Sequence, residues 1–366
     1  MGQVLQAPVT TKDSGHGIAE EKRLAWGYSG MQGWRVSMED AHLAVPSLEG
    51  EGWQRMALFG VMDGHGGEAV ALYCEKHLPS AIVRGSSQDV GGALISAFHK
   101  IDEQLADPDS FEELHALANT GFMQSKNVHP NNVGCTANVC CVTPSSIVVA
   151  NTGDSRSVLC RNGQAVPLSE DHKPNCPGER ERIYKAGGTV ERSQHGNITQ
   201  YRVNGNLNLS RSIGDLEYKK NTNLLPNEQM ICATPEVRVF HRQAADEFLV
   251  IACDGVWDVM GSQDVVDFIR ERLPQGSFFG DNALDPTVLS DIVEELLDNC
   301  VSPDLSQTGG LGGDNMTAVV IALGGAGEEL ANESQVVVHK QADQILATVD
   351  DKSIVPNGLC GCATQK

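Results

Sequence analysis

Positive charge is scarce in this sequence. Against 48 Asp and Glu stand only 27 Lys and Arg, a formal net charge of -21 over 366 residues. A general nucleic-acid binder draws its affinity from neutralising phosphates with basic side chains, so this balance argues against nucleic acid as a partner. No apolar run is long enough to span a bilayer, and the first residues contain no apolar signal-peptide core. The 11 cysteines form no CxxC pair with zinc-like partners, and several (Cys140, Cys141, Cys253) lie inside apolar runs. Buried, reduced thiols of a cytoplasmic or nuclear protein are the expectation. No internal repeat is visible. The remaining composition, 40% hydrophobic and 20% charged, is ordinary for a globular chain with a large core. The acid excess suits either the binding of divalent cations or a solubilising surface.

The chain is organised around VMDGHGG, Val61 to Gly67. Ala57, Leu58, Phe59, Val61 and Met62 read as a strand buried on both faces, and Asp63 stands at its end, followed by glycines and His65. A carboxylate beside such a run is costly to bury unless a cation compensates it, and the glycines let backbone approach that cation. A metal ion is the economical reading. The pattern recurs: Val148 to Ala150 lead to Asp154, Phe248 to Cys253 lead to Asp254, and Asp314 precedes the run Thr317 to Ile321. Glu39 and Asp40 follow Arg35 closely. If these acids converge, only cations hold them together, because unscreened like charges repel or take up protons.

Residues 1 to 23 read as a polar, extended or mobile arm, residues 24 to 325 as the folded domain and residues 326 to 366 as a tail with at most one helix. Gly2 invites a myristoylation reading, and with it membrane attachment, but Gln6 stands where the pattern wants Ser or Thr. Cys360 and Cys362 are either palmitoylation sites or, more simply, free thiols. Val90, Ala93, Leu94, Ala97, Phe98, Ile101 and Leu105 recur at helical spacing, as do Leu289, Ile292, Val293, Leu296, Leu297 and Cys300. A third helix is expected over Val265 to Leu273. Strands are expected near 56–62, 137–142, 147–151, 157–160, 237–241, 248–253 and 316–323. The turns Thr143 to Ser146 and Arg161-Asn162-Gly163 suit antiparallel hairpins. Helices covering antiparallel sheets make a layered α+β domain.

Taken together, RVSMED (35–40), VMDGHGG (61–67), Gly134-Cys135-Thr136-Ala137, ANTGDSR (150–156), VNGNLNLSRSIGD (203–215), ACDGVWDVM (252–260) and GDNMT (313–317) resemble the ordered motif set of type-2C, metal-dependent protein serine/threonine phosphatases. The resemblance implies a central two-sheet antiparallel β-sandwich flanked by helices, in α-β-β-α layers, with a binuclear Mg2+ or Mn2+ cleft at one end. It implies that Asp63 bridges two ions, that Asp254 and Asp314 complete one, and that Glu39 with the Gly64 carbonyl completes the other. Asp154 with Asp254 resembles a further, weaker ion site. Asp40 would orient metal-bound water, Arg35 would hold the substrate phosphate and His65 would act as general acid. Phosphoserine and phosphothreonine proteins are then the substrates and a monomer the expected state. A metal-bridging hydroxide would attack, with no phosphoenzyme intermediate.

The chemistry agrees with these roles. Hard cations want oxygen ligands, two of them lower the pKa of a bridging water and clamp a phosphoryl group, and a guanidinium suits phosphate. A seryl or threonyl alkoxide is a poor leaving group, which favours a histidine proton donor. Two rivals are weaker. CPGERER (176–182) has the spacing of a cysteine-nucleophile loop, but Glu179 and Glu181 would repel phosphate. A two-metal nuclease lacks its basic channel here. The non-enzyme alternative is an inactive phosphoprotein-binding regulator of the same fold. Asp258, Asp215 and Arg211 read as structural. Cys135, before Thr136, could tune reactivity towards oxidants, and the segment 170–200 is expected to form a flap over the site.

Overall fold

A computed structural model describes residues 4–118, 128–195, 198–324 and 337–339. Two six-stranded antiparallel sheets lie face to face. The first runs Val4–Ala19, Leu24–Arg35, Met316–Leu323, Asp246–Ala252, Arg156–Arg161, Gln164–Pro167; the second runs Val337–His339, Glu236–His241, Ser146–Thr152, Ala137–Val142, Ala57–Met62, Ala41–Val45. The two expected turns do close antiparallel hairpins, and Asn162 and Gly163 both take positive φ (51° and 72°), as a tight primed turn requires.

Alternation along the central strands explains why their sequences are almost continuously apolar. From Ala57–Met62, the side chains of Ala57, Phe59 and Val61 enter the inter-sheet core, while Leu58 and Met62 enter a second core under the helices Ala69–Ile82 and Val90–Ala106. From Asp246–Ala252, Leu249 and Ile251 face the other sheet, while Phe248, Val250 and Ala252 face the helices Ser262–Arg272 and Thr287–Cys300. Both faces of each central strand are therefore buried, and the layers stack helix, sheet, sheet, helix. Each fully buried Leu, Ile or Phe contributes about 1.5–3 kcal/mol to holding them.

Three elements differ from expectation. Residues 4–19 are extended as expected, but they form the edge strand of the first sheet, in register with Leu24–Arg35, instead of a free arm. Their polar alternation is that of an edge strand with one wet face. Leu24–Arg35 carries no apolar run because helix Thr287–Cys300 crosses it closely: a Cβ on Gly27 would lie 2.2 Å from Ser290 N. Helix Ala69–Ile82, just after VMDGHGG, was hidden by Pro79 in its last turn. Of the expected tail, only Val337–His339 is described, as a strand beside Glu236–His241. Gly2, Cys360 and Cys362 lie outside the described residues.

Candidate metal centre

The acids meet where the two sheets end together. Strand Ala57–Met62 delivers Asp63, whose backbone is locked to Thr136: Asp63 N donates to Thr136 Oγ1 at 3.1 Å, and Thr136 N donates to Asp63 O at 2.8 Å. Thr136 Oγ1 in turn shares a hydrogen bond with Ser155 Oγ at 2.7 Å, tying in the Asp154 turn. Asp254 is the first residue of the single-turn helix Asp254–Trp257 that follows strand Asp246–Ala252. Asp314 comes from the loop before Met316–Leu323. Its neighbour Asn315 staples the loop opposite: Oδ1 accepts from Glu39 N at 2.9 Å, and Nδ2 donates to Gln32 O and Ser37 O at 2.8 and 2.9 Å.

Electrostatics report the convergence. Burial first, and then the charges of Asp254, Asp40, Asp314 and Asp154, hold the Asp63 carboxyl well above the usual range. Asp254 is pushed up likewise, by burial and then by Asp154 and Asp258. Asp40 is pushed up to about 7, chiefly by burial. Its Oδ2 accepts from Thr317 Oγ1 at 2.8 Å, whereas Oδ1 has no partner among the described residues. Arg35 Nη2 donates to Asp314 Oδ2 at 2.5 Å and also feels the charges of Asp63 and Asp254. The Glu39 carboxylate accepts from Ser37 Oγ at 2.8 Å and from Gly67 N at 3.2 Å. A Cβ on Gly64 would fall 2.1 Å from Glu39 O, so only glycine lets these two segments touch.

His65 sits in a small three-stranded sheet in which Gly64–His65 pairs with Gly134–Cys135, and that pair with Ile213–Gly214. The register sets His65 Nε2 2.7 Å from Asp215 Oδ2, an oxygen that also accepts from Ser212 Oγ at 2.5 Å. Burial, the largest influence, would lower the imidazole pKa, but the charge and hydrogen bond of Asp215, with the charges of Glu39 and Asp154, together raise it. Asp215 is thus not merely structural, as the sequence suggested; it orients the histidine. No local signal could have shown this, because the two residues are 150 positions apart.

Of the site residues read from the sequence, Asp63 feels Asp254, Asp40, Asp314 and Asp154, Arg35 pairs with Asp314, Gly64 abuts Glu39, and His65 feels Glu39 and Asp154. Asp154 is buried, acts on Asp254, and has Lys173 Nζ 2.5 Å from its Oδ2, a partner the sequence did not reveal. Asp258 is the further acid near that pair. Atoms of Asp40, Asp63 and Cys253 lie within 4.8 Å of one another. Cys253 Sγ is engaged by backbone, accepting from Thr317 N at 3.2 Å and donating to Asn315 O at 3.6 Å, and burial pushes its thiol well up. The available donors are therefore hard oxygens, in a cluster short of positive charge. That set fits Mg2+ or Mn2+ and not a soft metal.

Two further expectations are resolved around the cleft. Cys135 is fully buried, 3.6 Å from Cys74 Sγ, with its thiol pushed well up by burial, so it is shielded from oxidants instead of tuned towards them. CPGERER folds into helix Pro177–Lys185, whose Glu179 accepts from Arg211, Arg182 and Ser210. With the hairpin Val190–His195 and Ile198–Val203 it forms a lobe over its own small core of Ile183, Val203 and Ile231. A cavity of about 580 Å³ beside this helix is lined by Asp171, His172, Glu179 and Arg238, among others.

The sequence matches the family model for protein phosphatase 2C over residues 24–309. It is 40% identical to a probable protein phosphatase 2C 11 of Oryza sativa subsp. japonica, covering 88% of this chain and 90% of the relative. It is 40% identical to a probable protein phosphatase 2C 4 of Paramecium tetraurelia, covering 89% and 100%, and 42% identical to protein phosphatase 2C homolog 3 of Schizosaccharomyces pombe, covering 88% and 70%. Among solved structures, a phosphatase from a pathogenic strain of Toxoplasma gondii has the same fold, with a TM-score of 0.63 at 24% identity over 89% of this chain and 99% of that one.

Proposed function

The chain belongs to the protein phosphatase 2C family, and on that premise we propose that it hydrolyses phosphoserine and phosphothreonine esters of proteins with Mg2+ or Mn2+ held in the carboxylate cleft. The observation that carries this reading is that Asp63 feels Asp254, Asp40 and Asp314, that Arg35 pairs with Asp314, and that Glu39 is tied to Asn315 and acts on His65, which pairs with Asp215. Asp63, Asp254 and Asp314, with Glu39 and the Gly64 carbonyl, are the residues that would hold two ions; Asp154 with Asp254 would hold a weaker third. When bound, the ions supply an acidified water as nucleophile and neutralise charge on the phosphoryl oxygens.

The chain's own groups do the rest. Arg35, its side chain 44% exposed at the cleft, offers its remaining N–H groups to a substrate phosphate while Asp314 fixes one edge of the guanidinium. Asp40 Oδ1, a buried acceptor with no partner among the described residues, would orient water. Asp215 takes the Nε2 side of His65 and leaves Nδ1 as the ring atom that gives a proton to the departing seryl or threonyl oxygen. No protein nucleophile is needed, and the buried, high-pKa thiols of Cys135 and Cys253 supply none. The partners are phosphoproteins, met by a monomer in the cytoplasm or nucleus, with membrane attachment only if Gly2 is acylated.

The test is phosphate release from a phosphothreonine peptide by purified protein, titrated with Mn2+ and Mg2+ and then stripped with a chelator. Release that follows metal, stops on chelation and returns with metal is the expected result. A folded protein that binds the peptide but releases no phosphate at any metal concentration would make it the inactive regulator instead.

A further inference from the structure

Lys173 is not a loose surface lysine. The segment that carries it is fixed to the Asp154 turn from both sides: His172 N donates to Gly153 O at 2.9 Å, and Gly153 N donates to His172 Nδ1 at 3.2 Å. Ser210 Oγ holds His172 O at 2.9 Å, and Cys176 N closes the next turn onto Lys173 O at 3.0 Å. The backbone thereby aims the side chain inward, and Nζ meets Asp154 Oδ2 at 2.5 Å, where the Asp154 side chain is only 2% exposed.

The charges around this contact are unbalanced. Asp171 is neutralised by the bidentate grip of Arg156, at 2.9 and 2.8 Å. Asp154, Asp254 and Asp258 all act on the ammonium of Lys173, which feels Asp154 most of the three, while Asp254 also acts on Arg35 and Asp258 on Arg156. The ammonium lies 2.5 Å from Asp154 Oδ2, a contact that pairs the positive charge with the buried carboxylate. At that distance the ammonium repels a divalent cation brought to the same carboxylate. Lysine, a point charge on a flexible four-carbon stem, can leave without disturbing the backbone that carries it.

We infer that Lys173 is a tethered cation that competes with the weaker third ion for Asp154, so that this ion binds only when Lys173 swings away. The inference rests on Asp154 being an ion ligand, and it makes the weakness of that site a property of Lys173. Asp63, Asp314 and Glu39 with Asp254 would hold the two tighter ions, whereas the ion pair of Lys173 is with Asp154.

The experiment is a Mn2+ titration of the metal-stripped full-length protein, following free Mn2+ by electron paramagnetic resonance, for wild type, Lys173→Met, Lys173→Arg, Asp154→Asn and the double variant Asp154→Asn/Lys173→Met. Lys173→Met should keep the two tighter ions and bind the third roughly tenfold or more tightly, the scale set by removing one full charge beside a cation site. Lys173→Arg should titrate like wild type. A third ion bound no tighter in Lys173→Met, with Asp154→Asn still abolishing it, overturns the competition while leaving the ligand assignment standing. A third ion that persists in the double variant overturns the ligand assignment itself and the competition with it. Should Lys173→Met fold poorly without metal, Lys173→Gln, which keeps a donor but no charge, carries the same expectation. A Lys173→Gln protein whose melting temperature responds to Mn2+ no more than wild type counts against it.

Discussion

Replacing Glu179 by glutamine tests whether the lobe beside the cleft is held by a buried ion cluster. The Glu179 carboxylate accepts from Arg211 Nη2 and Arg182 Nη1, both at 2.7 Å, and from Ser210 Oγ, also at 2.7 Å. The side chains of Glu179, Arg211 and Arg182 are only 8%, 9% and 11% exposed, so water screens them little. Glutamine preserves the volume and one acceptor but leaves two guanidiniums without their counter-charge. Breaking a buried pair in this way costs about 3–5 kcal/mol. The pH dependence has a definite sign. Burial alone would raise the Glu179 pKa, yet Arg211 and Arg182 hold it well below its ordinary 4.5. A depressed carboxylate stabilises the fold fully above its unfolded pKa and loses that contribution as pH falls through the folded value. The gap between wild type and Glu179→Gln in urea denaturation should therefore be constant above about pH 5 and narrow steadily below pH 4.5. A cost under about 1 kcal/mol at pH 7, or a gap that does not narrow in acid, would refute the reasoning.

The remaining expectations concern the cleft. Asp63→Asn and Asp254→Asn should each nearly abolish phosphopeptide hydrolysis without unfolding the protein; wild-type turnover in either removes the metal assignment. Asp215→Asn should slow turnover in the manner of His65→Gln, by about 10²–10⁴-fold for a phosphothreonine peptide and far less for an aryl phosphate with a good leaving group, since it acts through the proton donor. Equal losses on both substrates would show a structural role only. Gly64→Ala, whose new methyl would press on Glu39 O, should weaken Mn2+ binding in an equilibrium titration, and unchanged binding would mean that the loop yields at no cost. The thiols of Cys74 and Cys135 should resist alkylation in the native protein and react only on unfolding; fast native labelling would contradict their burial.

How much was legible in the sequence follows from which interactions are local. The central strands could be read because both of their faces are buried, which makes Ala57 to Met62 and Phe248 to Ala252 apolar throughout, and the acids ending those runs stood out against them. Helices Val90–Ala106 and Thr287–Cys300 could be read because each covers a sheet with one apolar stripe. Asn162-Gly163 announced its hairpin through backbone conformation alone. The edge strand Val4–Ala19, wet on one side, and Leu24–Arg35, thinned to glycine under a crossing helix, have no such local signature. By itself, then, the sequence determined the layers and the candidate ion-binding acids, since periodicity and strand-end charge are written residue by residue. Only the tertiary structure decided which partners those acids and His65 would meet. Asp215 reaches His65 through the register of three two-residue strands, Asn315 reaches Glu39 across the cleft, and Lys173 reaches Asp154 through a turn pinned by His172. Such pairings depend on how distant segments are docked, and docking is set by the packing of the whole core.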